Sequence, residues 1–206
     1  MPSKVNKNKQ QDKRINRLEK MIPVTREVIL FQKASGLLTS GQFSDAINPY
    51  PSALNSEKVS VHQINCKTLL QYSATTQDRG ASSRVVLLLY KCDVDYSGAS
   101  PAVTEPTSAQ VFHDPTDLLT YVNPDNRNRI KILRDSQRAV NGDDVQLPYW
   151  NQRKAYKKPL MMMPTVDKAF VWRPFIFIYQ ITYATGTPPT ALANTSVEIL
   201  TSQLAS

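Results

Sequence analysis

Hydrophobic and polar residues along this chain follow the period of two that is typical of β-strands. In residues 129–135, Arg129 and Lys131 alternate with Ile130 and Ile132, which predicts a strand with one buried face. Residues 85–90 are an uncharged run of β-branched residues, leucines and one tyrosine, and they predict a strand buried on both faces. Residues 57–72 alternate in two phases, so a β-bulge is expected near Gln63.

Further strands are predicted at residues 24–33, 147–163, 170–172, 175–184 and 196–204. Asp114 followed by Pro115 predicts the start of a short helix inside a loop, with Leu118, Leu119 and Val122 on its buried side. The strands do not alternate with helices in a βαβ rhythm. The pattern therefore predicts an all-β fold, an antiparallel sandwich or jelly roll of about eight strands.

The N-terminal segment is strongly basic. The first thirty residues hold eight lysines and arginines against three acids, in a chain whose formal net charge is +8. Residues 1–11 are polar and predicted to be disordered in isolation. Residues 11–22 place Ile15, Leu18 and Ile22 at helical spacing, which predicts a short basic helix. We divide the chain into an N-terminal arm, residues 1–23, and a β-domain, residues 24–206.

The arm has two interpretations that the sequence leaves open. A basic terminal segment commonly holds polyanions, because each neutralised phosphate releases condensed counterions. A solvated tail with no ligand has the same composition. The short helix orders either against nucleic acid or other copies of the chain, or by packing on its own domain.

The sequence contains no recognisable motif for catalysis. The chain has two histidines and two cysteines, and it lacks the sequence patterns of phosphate-binding loops, serine hydrolases and zinc proteases. We therefore expect no enzyme. Cys66 and Cys92 are predicted to be small core residues. No apolar run approaches the ~20 residues that span a bilayer, and the N-terminal residues lack the apolar region of a secretion signal, so neither secretion nor a membrane partner is expected.

Two pairs of carboxylates are candidates for cation binding. Asp93 and Asp95 lie on one side of a predicted strand, and Asp143 and Asp144 follow a glycine in a predicted turn. Hard oxygen ligands suit calcium, but neither pair has the ligands of a complete site, so solvated acids are the commoner explanation. No cofactor is required, and calcium between subunits is the one candidate ion.

Two cationic sets lie within the β-domain. The central set contains Arg127, Arg129, Lys131, Arg134 and Arg138, and the late set contains Arg153, Lys154, Lys157 and Lys158. Each set suits nucleic acid, acids of a neighbouring chain, or solvent. The aromatic residues Tyr149, Trp150 and Tyr156 are interleaved with the late set, where core or interface packing is a commoner use than base stacking.

Two segments carry a family resemblance. RVVLLLYKCD at residues 84–93 and NPDNRNRIKILRD at residues 123–135, separated by a loop and a short helix, resemble strands of the single jelly-roll capsid proteins of satellite viruses and small circular single-stranded DNA viruses. The resemblance covers roughly residues 24–185. It implies an eight-stranded antiparallel jelly roll with a short helix in a loop and a basic N-terminal arm. It also implies that calcium can lie between subunits.

The resemblance and the charge pattern together predict a viral capsid protein. Copies would self-assemble inside the host cell into a small icosahedral T=1 virion that packages a single-stranded RNA or DNA genome. The residues predicted to bind nucleic acid are Lys4, Lys7, Lys9, Lys13, Arg14, Arg17, Lys20, Arg129 and Lys131. The alternative is a cellular single-stranded nucleic-acid-binding β-barrel module, which would need an exposed aromatic groove.

Overall fold

A computed structural model of the chain describes residues 26–48, 59–72, 81–97, 102–140, 149–161, 170–182 and 191–203. The predicted arm lies outside these residues. The strands are β1 (Arg26–Leu38), β2 (Gln42–Phe43), β3 (Val59–Tyr72), β4 (Ala81–Asp95), β5 (Ala102–Val103), β6 (Ile130–Val140), β7 (Tyr149–Met161), β8 (Phe170–Thr182) and β9 (Ala191–Gln203). A short helix, α1 (Ser108–Val111), and a 3-10 helix, Pro124–Arg129, lie between β5 and β6.

The strands form two antiparallel sheets with the topology of a jelly roll. The first sheet has the order β1-β9-β3-β7. The second has the order β2-β8-β4, β6 pairs with β4, and the two-residue strand β5 pairs with the end of β4. Apart from β5, the chain crosses between the sheets at every connection except the one from β4 to β6. The predicted eight-stranded jelly roll is therefore confirmed.

The first core lies between the two sheets. The inward positions of β9 alternate along the strand and include Val197 and Ile199, which are fully buried. On β3 the register shifts between Val61 and Gln63, so Val61 and Ile64 both face this core although they are three residues apart. The bulge predicted near Gln63 is confirmed.

A second core lies on the other side of the β4–β8 pair. Val85 and Leu87 of β4 belong to the first core, whereas Val86 and Leu88 belong to the second. The segment between β4 and β6, residues 102–129, covers this second face, and we call it the cover. Its Phe112 stacks on Phe43 with ring centroids 3.8 Å apart. The predicted burial of β4 on both faces is confirmed.

The predicted helix at Asp114 is wrong in its position. Residues 115–119 form turns, and Leu119 is 74% exposed. The helix begins instead after Thr107, whose hydroxyl accepts a hydrogen bond from the Gln110 amide while the Gln110 side chain accepts one from the Thr107 amide. This reciprocal cap, a threonine followed three residues later by a glutamine, was the signal in the sequence.

Arg84 explains why the chain turns where a helix was expected. Its Nη1 donates to the carbonyl oxygens of Leu118 and Thr120, at 2.7 and 2.9 Å. Its Nε and Nη2 donate to the carboxylate of Asp135 on β6, at 2.9 and 2.6 Å. Arg84 thus ties the cover to the sheet beneath it. The carbonyl groups of Leu118 and Thr120 could accept backbone hydrogen bonds in a helix. Here they accept hydrogen bonds from the side chain of Arg84, which is distant in sequence.

Strand β6 follows the predicted alternation only at its start. Ile130 is 8% exposed and belongs to the second core, as predicted. The register with β4 then shifts, so that Leu88 lies opposite Ile132 and Leu87 opposite Arg134. Leu133, the extra residue, packs against the first core, while Ile132 is 41% exposed. Ile132 therefore lies before the bulge, opposite Leu88 and on the same side of β6 as Ile130, as predicted. The prediction that it is buried like Ile130 is wrong, because much of its side chain remains exposed on that side.

Strand β8 is one continuous element, although the sequence predicted two strands separated by Arg173 and Pro174. Pro174 lies opposite Leu89 of β4, before the point at which β8 also pairs with Ile47 and β2. Proline has no backbone N–H group to donate. Within a sheet it is therefore tolerated at positions where only one neighbouring strand forms hydrogen bonds with the backbone. The predicted break is therefore absent.

Both cysteines are free and buried, as predicted. Burial raises the pKa of the Cys66 thiol to about 11 and that of Cys92 to about 12. These thiols are therefore protonated at neutral pH and serve as small core side chains.

The burial pattern at the start of β6 is tested by three aspartate substitutions. We expect Ile130→Asp to unfold the domain, because an uncompensated buried charge costs about 3–5 kcal/mol. Ile132→Asp and the control Lys131→Asp should stay folded, since both side chains are exposed. Circular dichroism and thermal melting measure the result. Unfolding by Ile132→Asp would show that Ile132 is buried in the second core together with Ile130.

The tie between the cover and the sheet is tested by Arg84→Met. This variant leaves two carbonyl groups and a carboxylate without their donor, and hydrogen bonds to charged groups contribute about 1.5–3 kcal/mol each. We expect the free energy of unfolding in urea to fall by about 2–3 kcal/mol. Arg134→Met is the matched control, because Arg134 is an exposed cation on β6. Its expected change is within about 0.5 kcal/mol. Equal losses in both variants would contradict the role of Arg84.

Candidate nucleic-acid interface

The arm joins the β-domain at one end of the sandwich. Arg26, the first residue of β1, lies opposite Ser202 near the end of β9, and Gln203 lies opposite Val59 at the start of β3. Met161 ends β7 beside Ser60 at this same end. Residues 162–169 then lead into the start of β8. We call this the arm end of the sandwich.

The arm cations themselves lie outside the described residues. They are Lys4, Lys7, Lys9, Lys13, Arg14, Arg17 and Lys20. Their binding of nucleic acid stays a prediction. What the structure establishes is the place from which they extend, since β1 begins at the arm end.

In the central set, three side chains are held by partners in the same chain. Nη1 of Arg129 lies 2.7 Å from a carboxylate oxygen of Asp93, and this hydrogen bond and charge raise the pKa of the guanidinium. Nζ of Lys131 lies over the Trp172 ring, 4.2 Å from its centroid, and Arg138 lies over Trp150. Arg129 therefore already pairs with an acid, whereas Lys131 retains an exposed ammonium group.

The late set is split by the alternation of β7. Arg153 and Lys157 are exposed on the outer face of the first sheet, where Nη2 of Arg153 donates to the side-chain oxygen of Gln63 at 2.8 Å. Lys154 is half-buried, and the side chain of Lys158 lies outside the described residues. Lys67 of β3 is also exposed on this outer face. Sequence reasoning missed it because it stands alone among neutral residues.

The aromatic residues of β7 serve the core. Trp150 is buried in the first core, and Tyr156 packs against it with a phenol pKa raised by burial. Tyr149, by contrast, is exposed. The prediction of core packing is confirmed for Trp150 and Tyr156.

The cover carries a modest net negative charge. Residues 102–129 contain four acids against two arginines, Arg127 and Arg129, both at the end of the segment. Asp114 and Asp117 are exposed on this surface. These exposed acids disfavour a polyanion on this side of the molecule, whereas exposed cations lie on the uncovered side of the first sheet.

The candidate cation ligands are used locally. Asp93 accepts a hydrogen bond from Arg129, and Asp95 accepts one from the Ser97 amide at 2.8 Å, which lowers the pKa of Asp95. Among the described residues, no three histidine, cysteine or acidic side chains come together as a metal site. Asp143 and Asp144 lie outside the described residues. Calcium between subunits stays a prediction.

His113 and the adjacent Asp114 do not form the pair of a catalytic base and the carboxylate that orients it. Asp114 accepts hydrogen bonds from the amide and hydroxyl of Thr116, at 2.9 and 2.6 Å. His113 instead stacks on Tyr121, with ring centroids 4.8 Å apart.

In the part of the chain that is described, no helix has the length and hydropathy needed to cross a bilayer.

No family model matches the chain, and no curated protein matches it. Among solved structures, it is similar to Desmodium yellow mottle tymovirus at 10% identity and a TM-score of 0.40, over 89% of this chain and 91% of that chain. It is similar to turnip yellow mosaic virus at 8% identity and a TM-score of 0.38, over 89% and 98% of the two chains.

Mud crab tombus-like virus is a further neighbour, at 10% identity and a TM-score of 0.35 over 93% of this chain and 99% of that chain. Likeness at these identities and TM-scores carries no functional argument. The resemblance to satellite and circular single-stranded DNA viruses stays a prediction.

Proposed function

We propose that this chain is a viral capsid protein whose copies form a small icosahedral shell around single-stranded nucleic acid. The observation that carries the proposal is a jelly roll with the first strand of one sheet continuing from a strongly basic arm. The first described strand, β1, begins at Arg26, three residues after the predicted end of the arm. In this proposal the protein is a structural component of the virion, assembled in the host cell, rather than an enzyme or a membrane protein.

Open sheet edges support self-assembly. Strand β7 ends the first sheet, and β6 pairs with β4 at the side of the second. Edge strands present unpaired backbone groups, which tend to associate with other chains unless they are covered. A closed assembly of identical subunits would bury such edges in repeated contacts.

Exposed apolar side chains on the cover support the same conclusion. Leu119 is 74% exposed and Tyr121 is 62% exposed. Both lie within or next to the turn whose carbonyl groups Arg84 holds, so they are presented on a fixed backbone. Rigid aromatic and aliphatic anchors are typical of protein interfaces. We assign them to contacts between subunits.

The arm supports packaging of nucleic acid. Seven lysines and arginines precede residue 21, and phosphate contacts of this kind add affinity without reading base sequence. The acidic cover would face away from the cargo. Calcium at Asp93 and Asp95 would be optional, because the Asp93 carboxylate already has the guanidinium of Arg129 as its counter-charge.

The packaging role is tested by deleting residues 1–20. We expect the variant to keep its β-domain folded and to lose most of its affinity for single strands. If about five of the seven cations contact phosphate, the slope of log K against log salt should become shallower by roughly 3 to 4, at about 0.7 per contact. Filter retention over a salt series measures this, with cargo strands of unrelated sequence.

A matched variant separates charge from packing in the arm. Leu18→Asp keeps all seven cations, so it should retain nearly the full salt slope while altering particle size or yield if the arm helices pack against one another. Micrographs of both variants show that effect. A truncated protein with the full-length salt slope would mean that the β-domain holds the cargo, and the packaging role of the arm would be wrong.

A further inference from the structure

Two lysines at the arm end lie over aromatic rings of β8. Nζ of Lys91 is 3.6 Å from the centroid of the Phe170 ring, and Nζ of Lys131 is 4.2 Å from that of Trp172. The strand register explains the arrangement. Lys91 lies opposite Trp172, and Lys131 lies opposite Leu89, two residues before Lys91 on the same face of β4. We call these four residues the lysine–aromatic patch.

The patch lies where the sandwich opens. Farther along the same face of β4 and β8, Leu87 and Ile176 are fully buried against the first sheet. At the arm end this burial is lost. Phe170 is 39% exposed, Lys131 is exposed, and Lys91 and Trp172 are half-buried. Both lysines are therefore at least partly accessible to solvent at this end of the sandwich.

The two ammonium groups are held in place but not neutralised. A lysine over an aromatic ring is attracted by the electrons of the ring face and keeps its full positive charge. Among the described residues, the acids in ion pairs are Asp135 and Asp93, which bind Arg84 and Arg129. Neither patch lysine has a carboxylate within ion-pair distance in that part of the chain. Their N–H groups remain available to an anion.

We propose that the lysine–aromatic patch binds phosphate groups of single-stranded nucleic acid as the strand enters or leaves the region held by the arm. This inference rests on the proposed packaging function and adds a second contact on the β-domain. Positive charge suits a polyanion, and the arm begins at this same end of the sandwich. The ligand chemistry is that of a phosphodiester.

The arrangement favours phosphate contact over base stacking. Each ring has an ammonium group over its face, so a base could stack there only by displacing the lysine. A phosphate, in contrast, can accept hydrogen bonds from the ammonium without disturbing the ring. Lysines fixed on rings also lose less conformational freedom on binding than free surface lysines do. Binding at the patch should therefore be independent of base identity.

Trp172 provides a direct measurement of this site. The chain has two tryptophans, and Trp150 is 2% exposed in the first core. Fluorescence that is accessible to acrylamide thus comes mainly from Trp172. We expect a single-stranded oligothymidylate to change this emission and to reduce acrylamide quenching of the full-length protein. The variant Trp172→Phe should bind the same strand and lose the signal.

The lysines are tested by the double variant Lys91→Gln, Lys131→Gln. We expect it to lose the Trp172 response and to lower the salt slope by roughly 1.4, at about 0.7 for each of two contacts. The matched control is Lys67→Gln with Lys157→Gln, on the outer face of the first sheet. The control should keep the Trp172 response. Circular dichroism verifies that both variants are folded.

The outcomes separate this inference from the proposed function. Strand binding in filter retention with an unchanged Trp172 signal would overturn the patch and leave packaging by the arm intact. Absence of any strand binding by the full-length protein would overturn both. A Trp172 response that follows assembly without nucleic acid would show that the patch contacts a neighbouring subunit, and it would also overturn the inference.

Discussion

The β4–β8 pair is buried on both of its faces, and the rest of the molecule is arranged around that constraint. Val85 and Val86, adjacent in β4, belong to different cores. One face is covered by the first sheet and the other by the segment between β4 and β6. That segment has to be fixed in place, and Arg84 does so by binding two of its carbonyl groups and the Asp135 carboxylate. The central strands therefore determine where the cover lies.

This arrangement gives the two sides of the sandwich different electrostatic characters. The cover brings four acids and two arginines, together with exposed Leu119 and Tyr121, to the outside of the second sheet. Exposed cations remain on the outer face of the first sheet, and at the arm end the exposed Lys131 and the half-buried Lys91 lie over aromatic rings. In a closed shell, such a difference would orient each subunit, with its basic surfaces toward the cargo. Long-range repulsion would keep nucleic acid from the cover.

Features that depend on neighbouring residues in sequence could be predicted, and those that depend on pairing between distant strands could not. The alternation of apolar residues predicted the strands, the double burial of β4 and the bulge near Gln63. The bulge at Leu133 and the continuity of β8 through Pro174 depend on the register with β4. The lysine–aromatic patch brings together side chains from three strands. Only Lys131 among them was predicted from sequence as a nucleic-acid contact.

If copies of this chain close into a shell, the purified full-length protein at moderate salt should form closed particles of uniform size. Electron microscopy should resolve these particles, and sedimentation velocity should show them as one large species. A stable monomer at high concentration, with and without single-stranded nucleic acid, would contradict closure into a shell. That result would instead support a cellular nucleic-acid-binding module.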